Sequence, residues 1–375
     1  MLSFTPGSRI EKELRILQGQ LAEACHLTGS LMPDERDYLQ HSALISTIGA
    51  STRIENALLT DPEIDWVDTT LTLDGRPTAF DEKRVFILDK LSKDRERSVE
   101  EVVGCREVLS TVFMQADELF PLTEAAIRGL HHSLLSHYPP ASSHAGSYKT
   151  APNRVIAFNH ATGEDRIVLD PAPPGIVTDT AMSDLVGWYN SSLREHPWPF
   201  LVATEFVFRF LAIHPFQDGN GRLGRALFLM ALLQSDDEYL KGVIPCISLD
   251  RQIERNRPLY YTVLARAADG RFVADPSKYN FEPLVRFLVK ILKDSLADIE
   301  VYRQRYADLR GLSETATEVL KTFKSNPERR LKISEIADIT GRPRRTVQYA
   351  LRTLMEKGIL QPMGKGAGSR YQLVF

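Results

Sequence analysis

Apolar residues recur at three- and four-residue intervals through residues 10–24, 35–60, 81–91 and 98–119. That is the period of a helix with one buried face, and each stretch predicts an α-helix. Thr123 followed by Glu124 has the form of a helix start, a hydroxyl cap with an acid in the first turn. The same period returns in 182–192, 204–213, 222–234 and 259–267, and 281–306 reads as one long helix. β-Branched pieces occur only mid-chain, at 153–158 (NRVIAF) and 166–169 (RIVL), separated by Asn-His-Ala-Thr-Gly. A turn-rich joint between two such pieces predicts a hairpin. Pro171, Pro173 and Pro174 then block regular structure, because proline fixes φ and lacks an N–H. With no internal repeat, the body is expected to be mainly α with one small β-hairpin.

The last sixty residues follow a different pattern. Residues 313–324 form an amphipathic helix, 333–340 a short second one, Gly341 a turn, and 343–357 a third helix capped by Gly358. Two strand-like pieces, 359–361 and 369–374, flank a Gly-rich GKGAG tip. Three helices and a hairpin in this order resemble a winged helix-turn-helix. Arg342, Arg344, Arg345 and Arg370 fall on its third helix and wing, where such modules touch phosphates and base edges. The alternative is a helical cap or dimerisation module with a solvated charged face. Charge sharpens the first reading. Residues 313–375 carry five Lys and seven Arg against six acids, a net of +6 in a chain whose total is −3. Any DNA contact is therefore expected at this end.

At 375 residues, with 43% apolar and 25% charged positions, the chain has the balance of a soluble globular protein of two or three domains. Cys25, Cys105 and Cys246 are odd in number and widely spaced, which argues against a disulfide scaffold or a cysteine zinc site. No apolar run approaches the ~18 residues of a membrane span, and the N-terminus has no apolar core of a secretory signal. A cytoplasmic protein that does not enter the membrane is expected.

The densest chemistry lies in residues 213–225, IHPFQDGNGRLGR. Gly219 and Gly221 flank Asn220 just before an apolar-periodic helix, so backbone N–H groups there can close on an anion at a helix N-terminus. Arg222 and Arg225, three apart, can grip phosphate oxygens. Asp218 offers a carboxylate suited to Mg²⁺ beside those phosphates, and His214 is a base that titrates near neutrality. Together they describe phosphoryl or nucleotidyl transfer. Gly219, Gly221 and Gly224 also satisfy GxGxxG, but helical flanks do not supply the βαβ unit of a dinucleotide fold. A calcium loop lacks its alternating ligands and closing Glu, and a Walker loop lacks its Gly-Lys-Ser/Thr.

HPFQDGNGRLGR matches position by position the HPFx[D/E]GNGRxxR signature of the Fic (filamentation induced by cAMP) family, and the chain resembles that family beyond it. Gly146-Ser147-Tyr148-Lys149, followed by the 155–158 strand, looks like the family's GxYR and flap, although Lys149 stands where many relatives have Arg. Asn256-Arg257-Pro258-Leu259-Tyr260-Tyr261 resembles the segment lining the nucleotide pocket, while an Asn found in several relatives is Ala268 here. The resemblance implies an all-helical Fic core with a hairpin flap and AMP transfer from ATP with Mg²⁺ to a protein hydroxyl. His214 would be the base and Asp218 the metal ligand. Gly219, Asn220, Gly221, Arg222, Leu223, Gly224, Arg225, Asn256, Tyr260 and Tyr261 would form the nucleotide site. Val155, Ile156, Ala157 and Phe158 would dock the target as an added strand.

Ser51-Thr52-Arg53-Ile54-Glu55-Asn56 matches the family's inhibitory motif [S/T]xxxE[G/N]. Ser51 and Glu55, four apart, fall on one helical face, and the resemblance implies that Glu55 pairs with Arg225 and restrains the enzyme until the helix swings away. The domains expected are 1–115 with an inhibitory helix at about 45–60, a core at 116–310 and a winged helix at 313–375. Removal of AMP by the same site, and a DNA-binding regulator with a nucleotide-sensing core, stand as alternatives. The target protein is unknown; self-modification and a homodimer are open. His131, His132 and His137, with no acidic or cysteine partner nearby in sequence, are read as packing or surface residues.

Overall fold

A computed structural model describes residues 1–73, 76–91, 96–141, 143–159, 164–325, 329–364 and 369–374. The chain opens with helices α1 (Ser8–Ser30) and α2 (Pro33–Ile54). It continues through α3 (Asp61–Leu71), the two-residue strands β1 (Thr72–Leu73) and β2 (Arg76–Pro77), and α4 (Phe80–Lys90). Helices α5 (Glu96–Gln115) and α6 (Glu124–Leu135) lead to the antiparallel pair β3 (Val155–Asn159) and β4 (Glu164–Leu169). Then follow α7 (Ile176–Ser192), α8 (Pro199–Ile213), α9 (Asn220–Gln234), α10 (Glu238–Val243), α11 (Leu249–Arg255), α12 (Arg257–Ala268) and α13 (Glu282–Arg310). The tail comprises α14 (Glu314–Lys324), β5 (Leu331–Lys332), α15 (Ile333–Thr340), α16 (Arg344–Glu356), β6 (Leu360–Met363) and β7 (Arg370–Leu373). The fold is mainly α, as the pattern predicts, and no described helix is long and apolar enough to cross a membrane.

Two compact units divide the chain: residues 1–57 with 100–299, and residues 58–99 with 300–375. The expected 1–115 region is therefore cut. Its first 57 residues group with the body because α2 packs on α11, with Thr47 donating to Ser248 Oγ (3.0 Å) and Arg53 Nε to Glu254 Oε1 (2.7 Å). The centre of this first unit is α8 and α9. In α8 every residue from Phe200 to Ile213 except Arg209 is buried, the signature of a helix apolar on all sides. Gly224 lets α9 close on α8, for a Cβ there would meet Leu211 Cδ2 at 2.9 Å.

The expected helix over 35–60 ends early, at Ile54. Asn56 takes φ +72, a left-handed conformation that asparagine tolerates at helix ends, and a capping box between Thr60 and Glu63 with a proline in the first turn starts α3. In the second unit Val319, Phe323, Ile336, Val347 and Leu354 form one core under α14, α15 and α16. β5 joins the expected wing, giving sheet order β5-β7-β6. Residues 365–368 of the GKGAG tip and 160–163 of the hairpin turn lie outside the described residues.

Candidate active site

His214 ends α8 with φ 51 and ψ 59, a strained setting for a residue with a Cβ. Pro215 behind it bars the α-region, yet the His214 N–H still donates to Phe210 O at 2.9 Å. The side chain's Nδ1 lies 3.3 Å from the Leu211 carbonyl. A carbonyl only accepts, so this contact puts the ring proton on Nδ1 and leaves the Nε2 lone pair free. Desolvation is the main reason that the His214 pKa falls from 6.5 to about 4. The charge of Lys149 assists, while the Leu211 carbonyl, Glu55 and Asp218 oppose. At neutral pH the ring is a neutral base.

The loop after His214 is held from three sides. Phe216, fully buried, stacks on His131 with ring centres 3.7 Å apart and planes 8° from parallel. His131 Nδ1 accepts from Gly146 N (2.8 Å), so its other nitrogen donates to the Asp218 carbonyl (2.9 Å). Burial lowers the His131 pKa to about 4, which keeps that neutral tautomer. Asn220 closes the turn: Oδ1 accepts from Phe216 N (2.9 Å) and Nδ2 donates to Phe216 O (2.7 Å). Both ends of its amide therefore hold the loop. The third brace comes from the segment ahead of β3. Lys149 Nζ donates to Ile213 O (3.1 Å) and Asn153 Oδ1 (2.9 Å), Lys149 N to Pro215 O (2.8 Å), and Asn153 Nδ2 to Phe216 O (2.8 Å). Burial draws the Lys149 ammonium down to about 8.

α9 starts after Gly219, whose φ of +77 lets the chain turn in without a Cβ penalty. Its first turn is an anion site by geometry, and a carboxylate already sits there. A Cβ on Gly221 would come within 2.5 Å of Glu55 Oε1. The same oxygen accepts from Arg225 Nη1 at 3.1 Å. Arg225, only 3% exposed, also donates through Nη2 to Ser51 O (2.7 Å) and through Nε to Ser51 Oγ (3.1 Å). Asp250 of α11 stands 3.4 Å from Nε. Burial pulls the guanidinium pKa down, but Glu55 and Asp250 more than offset it and the net shift is upward. Asp250 is pushed up by burial against the pull of Arg225 and Ser51. Arg222, also buried, lies 3.6 Å from both Glu101 and Asp218, and its Nε and Nη1 make no hydrogen bond.

These groups line a cleft of about 1020 Å³. Of the residues expected in the site, the cleft takes His214, Asp218, Gly219, Asn220, Gly221, Arg222, Arg225, Tyr260, Tyr261, Val155, Glu55 and Asn56. Ser51 stands behind Arg225. Leu223 and Gly224 are not among the lining residues and serve the packing of α9. Asn256 is not among them either; its amide donates to Gln252 O at 2.8 Å across the α11–α12 break. The backbone of Ile156, Ala157 and Phe158 lies in β3, while their side chains are outside the described residues. Glu55 occupies the C-cap of α2, one position past the helix, rather than its face. Sequence reasoning missed Asp250, whose partner is 25 positions away, and the support from His131. The Thr123–Glu124 start marks α6 in the sequence, but nothing local signals that His131 lies beneath the loop.

Asp218 has a side chain 49% exposed at the cleft rim. One such carboxylate fits Mg²⁺, which takes few protein oxygens and fills its shell from phosphates and water. Among the described residues no cluster of three His, Cys, Asp or Glu forms a protein-only metal cage.

In the second unit, α16 buries Val347, Ala350, Leu351 and Leu354 and turns Arg344, Arg345, Gln348, Tyr349 and Arg352 outward. Tyr349 is 74% exposed. Arg370 of β7 is exposed as well. Arg342 behaves differently: its Nε and Nη2 fork onto Glu318 at 2.8 and 2.9 Å, which ties α14 to the turn before α16.

A mainly helical unit that gathers a histidine, a helix N-terminus and two buried arginines around one cleft, followed by a helix-turn-helix tail, defines the class of the protein. Comparison with known proteins finds similarity in two stretches of the chain. Residues 121–232 match the Fic/DOC family model, and residues 314–363 match the IclR helix-turn-helix domain model. The chain thus carries a Fic/DOC domain followed by a helix-turn-helix domain. Over 214 residues it is 24% identical to the protein adenylyltransferase Fic of Drosophila ananassae, covering 55% of this chain and 38% of that protein. The Drosophila willistoni protein of the same name is 26% identical over 181 residues, 47% of this chain and 32% of the relative. The chain spans about a third of the length of these relatives. A Fic family protein from Desulfovibrio desulfuricans G20 shares the fold over 100% of this chain and 98% of its own, with TM-score 0.57 and 20% identity. A Fic domain containing signaling protein from Bacteroides thetaiotaomicron VPI-5482 covers 77% of this chain and 97% of its own, with TM-score 0.56 and 24% identity.

Proposed function

We propose that this protein is an adenylyltransferase that moves AMP from ATP to a hydroxyl of a protein, and that Glu55 holds it in check. The observation that carries the reading is the seating of the Glu55 carboxylate on Arg225 and Gly221. An anion already occupies the place that the family signature assigns to phosphate, in the cleft that also holds a neutral histidine base.

The chemistry follows from the groups in the cleft. The Nε2 of His214 takes the proton of the target Ser, Thr or Tyr as its oxygen attacks the α-phosphorus, and pyrophosphate leaves. The first N–H groups of α9 face the charge that develops on phosphate, fixed in advance by the Phe216–Asn220–His131 lock. Arg222 and Arg225 bind the outer phosphates; Nε and Nη1 of Arg222 make no hydrogen bond in the braked state, although Nη1 keeps an ion pair with Glu101 at 3.6 Å. Mg²⁺ would be held by Asp218 and would neutralise phosphate charge. Tyr260, Tyr261, Leu264 and Pro258 line the cleft and offer the base a largely apolar wall. β3 carries Val155 at the cleft and would take the target peptide as an added strand. Its link to Lys149 and Asn153 connects target docking to the His214 loop.

Release of the brake is local in this reading. Swinging α2 away would expose Leu39, Ile45, Ile48 and Ile54, each 0–5% exposed. At roughly 1.5–3 kcal/mol per buried aliphatic side chain that costs on the order of 6–12 kcal/mol. Rotating the Glu55 side chain alone, at the C-cap of α2, leaves those side chains buried and costs less. Incubation with ATP labelled at the α- or the γ-phosphate tests the assignment. Glu55→Gly protein should label itself or a lysate protein from the α-position and never from the γ-position. Label from the γ-position would make it a kinase-like reaction and end the proposal.

A second activity is favoured by the helix-turn-helix match and the exposed basic face of α16. The tail docks on duplex DNA through Arg344, Arg345 and Arg370, with Arg342 kept for structure by Glu318. Duplex binding should weaken steeply with salt and fall on Arg344→Ala with Arg345→Ala. Binding that ignores salt or the double substitution would remove DNA from the account.

A further inference from the structure

Four contacts define the surroundings of the Arg225 guanidinium, and three of them come from one short segment. Ser51 O, Ser51 Oγ and Glu55 Oε1 all belong to the C-terminal end of α2. The fourth, Asp250 Oδ2, reaches Nε at 3.4 Å from α11. It is 2% exposed, and this oxygen has no hydrogen-bond partner. If Glu55 turns away to admit a triphosphate, the two Ser51 acceptors that remain are neutral. A guanidinium 3% exposed would then be a buried cation, which is costly unless a carboxylate stays beside it.

We infer that Asp250 is a positioning residue for nucleotide binding: it is the counter-anion that holds the Nε end of Arg225 so that Nη1 stays aimed into the cleft after Glu55 departs. The inference rests on the reading that Arg225 grips the outer phosphates of ATP. Geometry supports the division of labour. Asp250 is absent from the cleft lining, whereas Arg225 and Glu55 both belong to it, so the two carboxylates approach the guanidinium from different sides. In the braked state two carboxylates share one cation, and burial pushes the Asp250 carboxyl up. Departure of Glu55 leaves the arginine's charge to Asp250 alone and favours its ionised form.

The experiment is titration calorimetry with a non-hydrolysable ATP analogue and with AMP, on the full chain in the Glu55→Gly background. AMP lacks the phosphates that Arg225 would hold. Asp250→Asn should lower affinity for the ATP analogue by about tenfold, the scale of one ion pair whose loss is partly compensated by the neighbouring Ser51 acceptors. AMP affinity should stay within about twofold, and Asp250→Glu should recover part of the loss. A loss shared equally by AMP and the analogue, or no loss, overturns the inference. Arg225→Ala in the same background separates the two levels. If it too fails to discriminate the nucleotides, the underlying reading of Arg225 falls with the inference. If it discriminates and Asp250→Asn does not, the inference alone is wrong.

Discussion

Replacing Glu55 with glutamine keeps the shape of the side chain and removes its charge, so it isolates the ionic part of the Arg225 contact. The two groups meet at 3.1 Å, and unit charges about 4 Å apart attract by about 4 kcal/mol at an effective dielectric near 20. Two features reduce that figure. The Glu55 side chain is 32% exposed, against 3% for Arg225, so water screens one partner. Asp250 and Ser51 also stay on the guanidinium. A net contribution of about 1–2 kcal/mol remains. The terminal phosphate of ATP competes for the same Nη1, so Glu55→Gln should tighten binding of a non-hydrolysable ATP analogue by about 5–30-fold. AMP, with no outer phosphate, should bind as before. Calorimetry on wild type and variant at pH 7.5 reads both numbers. Unchanged affinity for the analogue, or an equal gain for AMP, would refute competition between Glu55 and phosphate.

Other consequences follow from the histidines. The general base must be neutral to accept a proton, and His214 is held at about 4 against an ordinary 6.5. In Glu55→Gly protein the acid limb of kcat/KM should therefore fall near pH 4, and a limb at 6.5 would contradict the buried neutral base. For stability the sign is fixed by the same depression. Between about 4 and 6.5 the unfolded chain binds protons at His214 and His131 that the folded chain refuses. Stability is then whole above about pH 7 and lost as pH falls through this window; urea midpoints that do not drop between pH 7.5 and 5 would exclude it. Truncating His131 to alanine removes the Phe216 stack and two hydrogen bonds. It should cost about 2–4 kcal/mol in urea unfolding and lower AMP transfer, whereas a loss below 1 kcal/mol would mean the loop is held without it.

Much of this arrangement was legible in residue order, because its chemistry is local. The His214–Arg225 segment packs its base, turn and helix N-terminus into one stretch, the apolar runs of α8 and α9 mark buried helices, and the period of α13 marks a helix with one buried face. The α14–α16 tail likewise carries its caps in sequence: Ser313 caps α14, and Gly341 and Gly358 take the positive φ values expected of them. Other features depend on partners far along the chain. Asp250 is one of two acids on a seven-residue helix, too short for periodicity to speak, and its meaning comes from Arg225. Arg342 resembles Arg344 and Arg345 in sequence but is taken by Glu318 of α14, two helices back. The break at residues 55–60 was hidden because the apolar pattern of α2 runs on toward α3, although Asn56, the Thr60–Glu63 pair and Pro62 all signal it. Asn256 looked like a pocket residue, yet its place at a helix junction turns its amide to the backbone.

The most direct test of the central claim compares Glu55→Gly with Glu55→Gly/His214→Ala, measuring label transfer from α-phosphate-labelled ATP to protein and, on the same samples, binding of a non-hydrolysable ATP analogue. The account predicts that the first protein transfers label and the second does not, while both bind the analogue equally. Transfer that persists without His214 would contradict the base assignment, and absence of label from both proteins despite tight nucleotide binding would contradict AMP transfer itself.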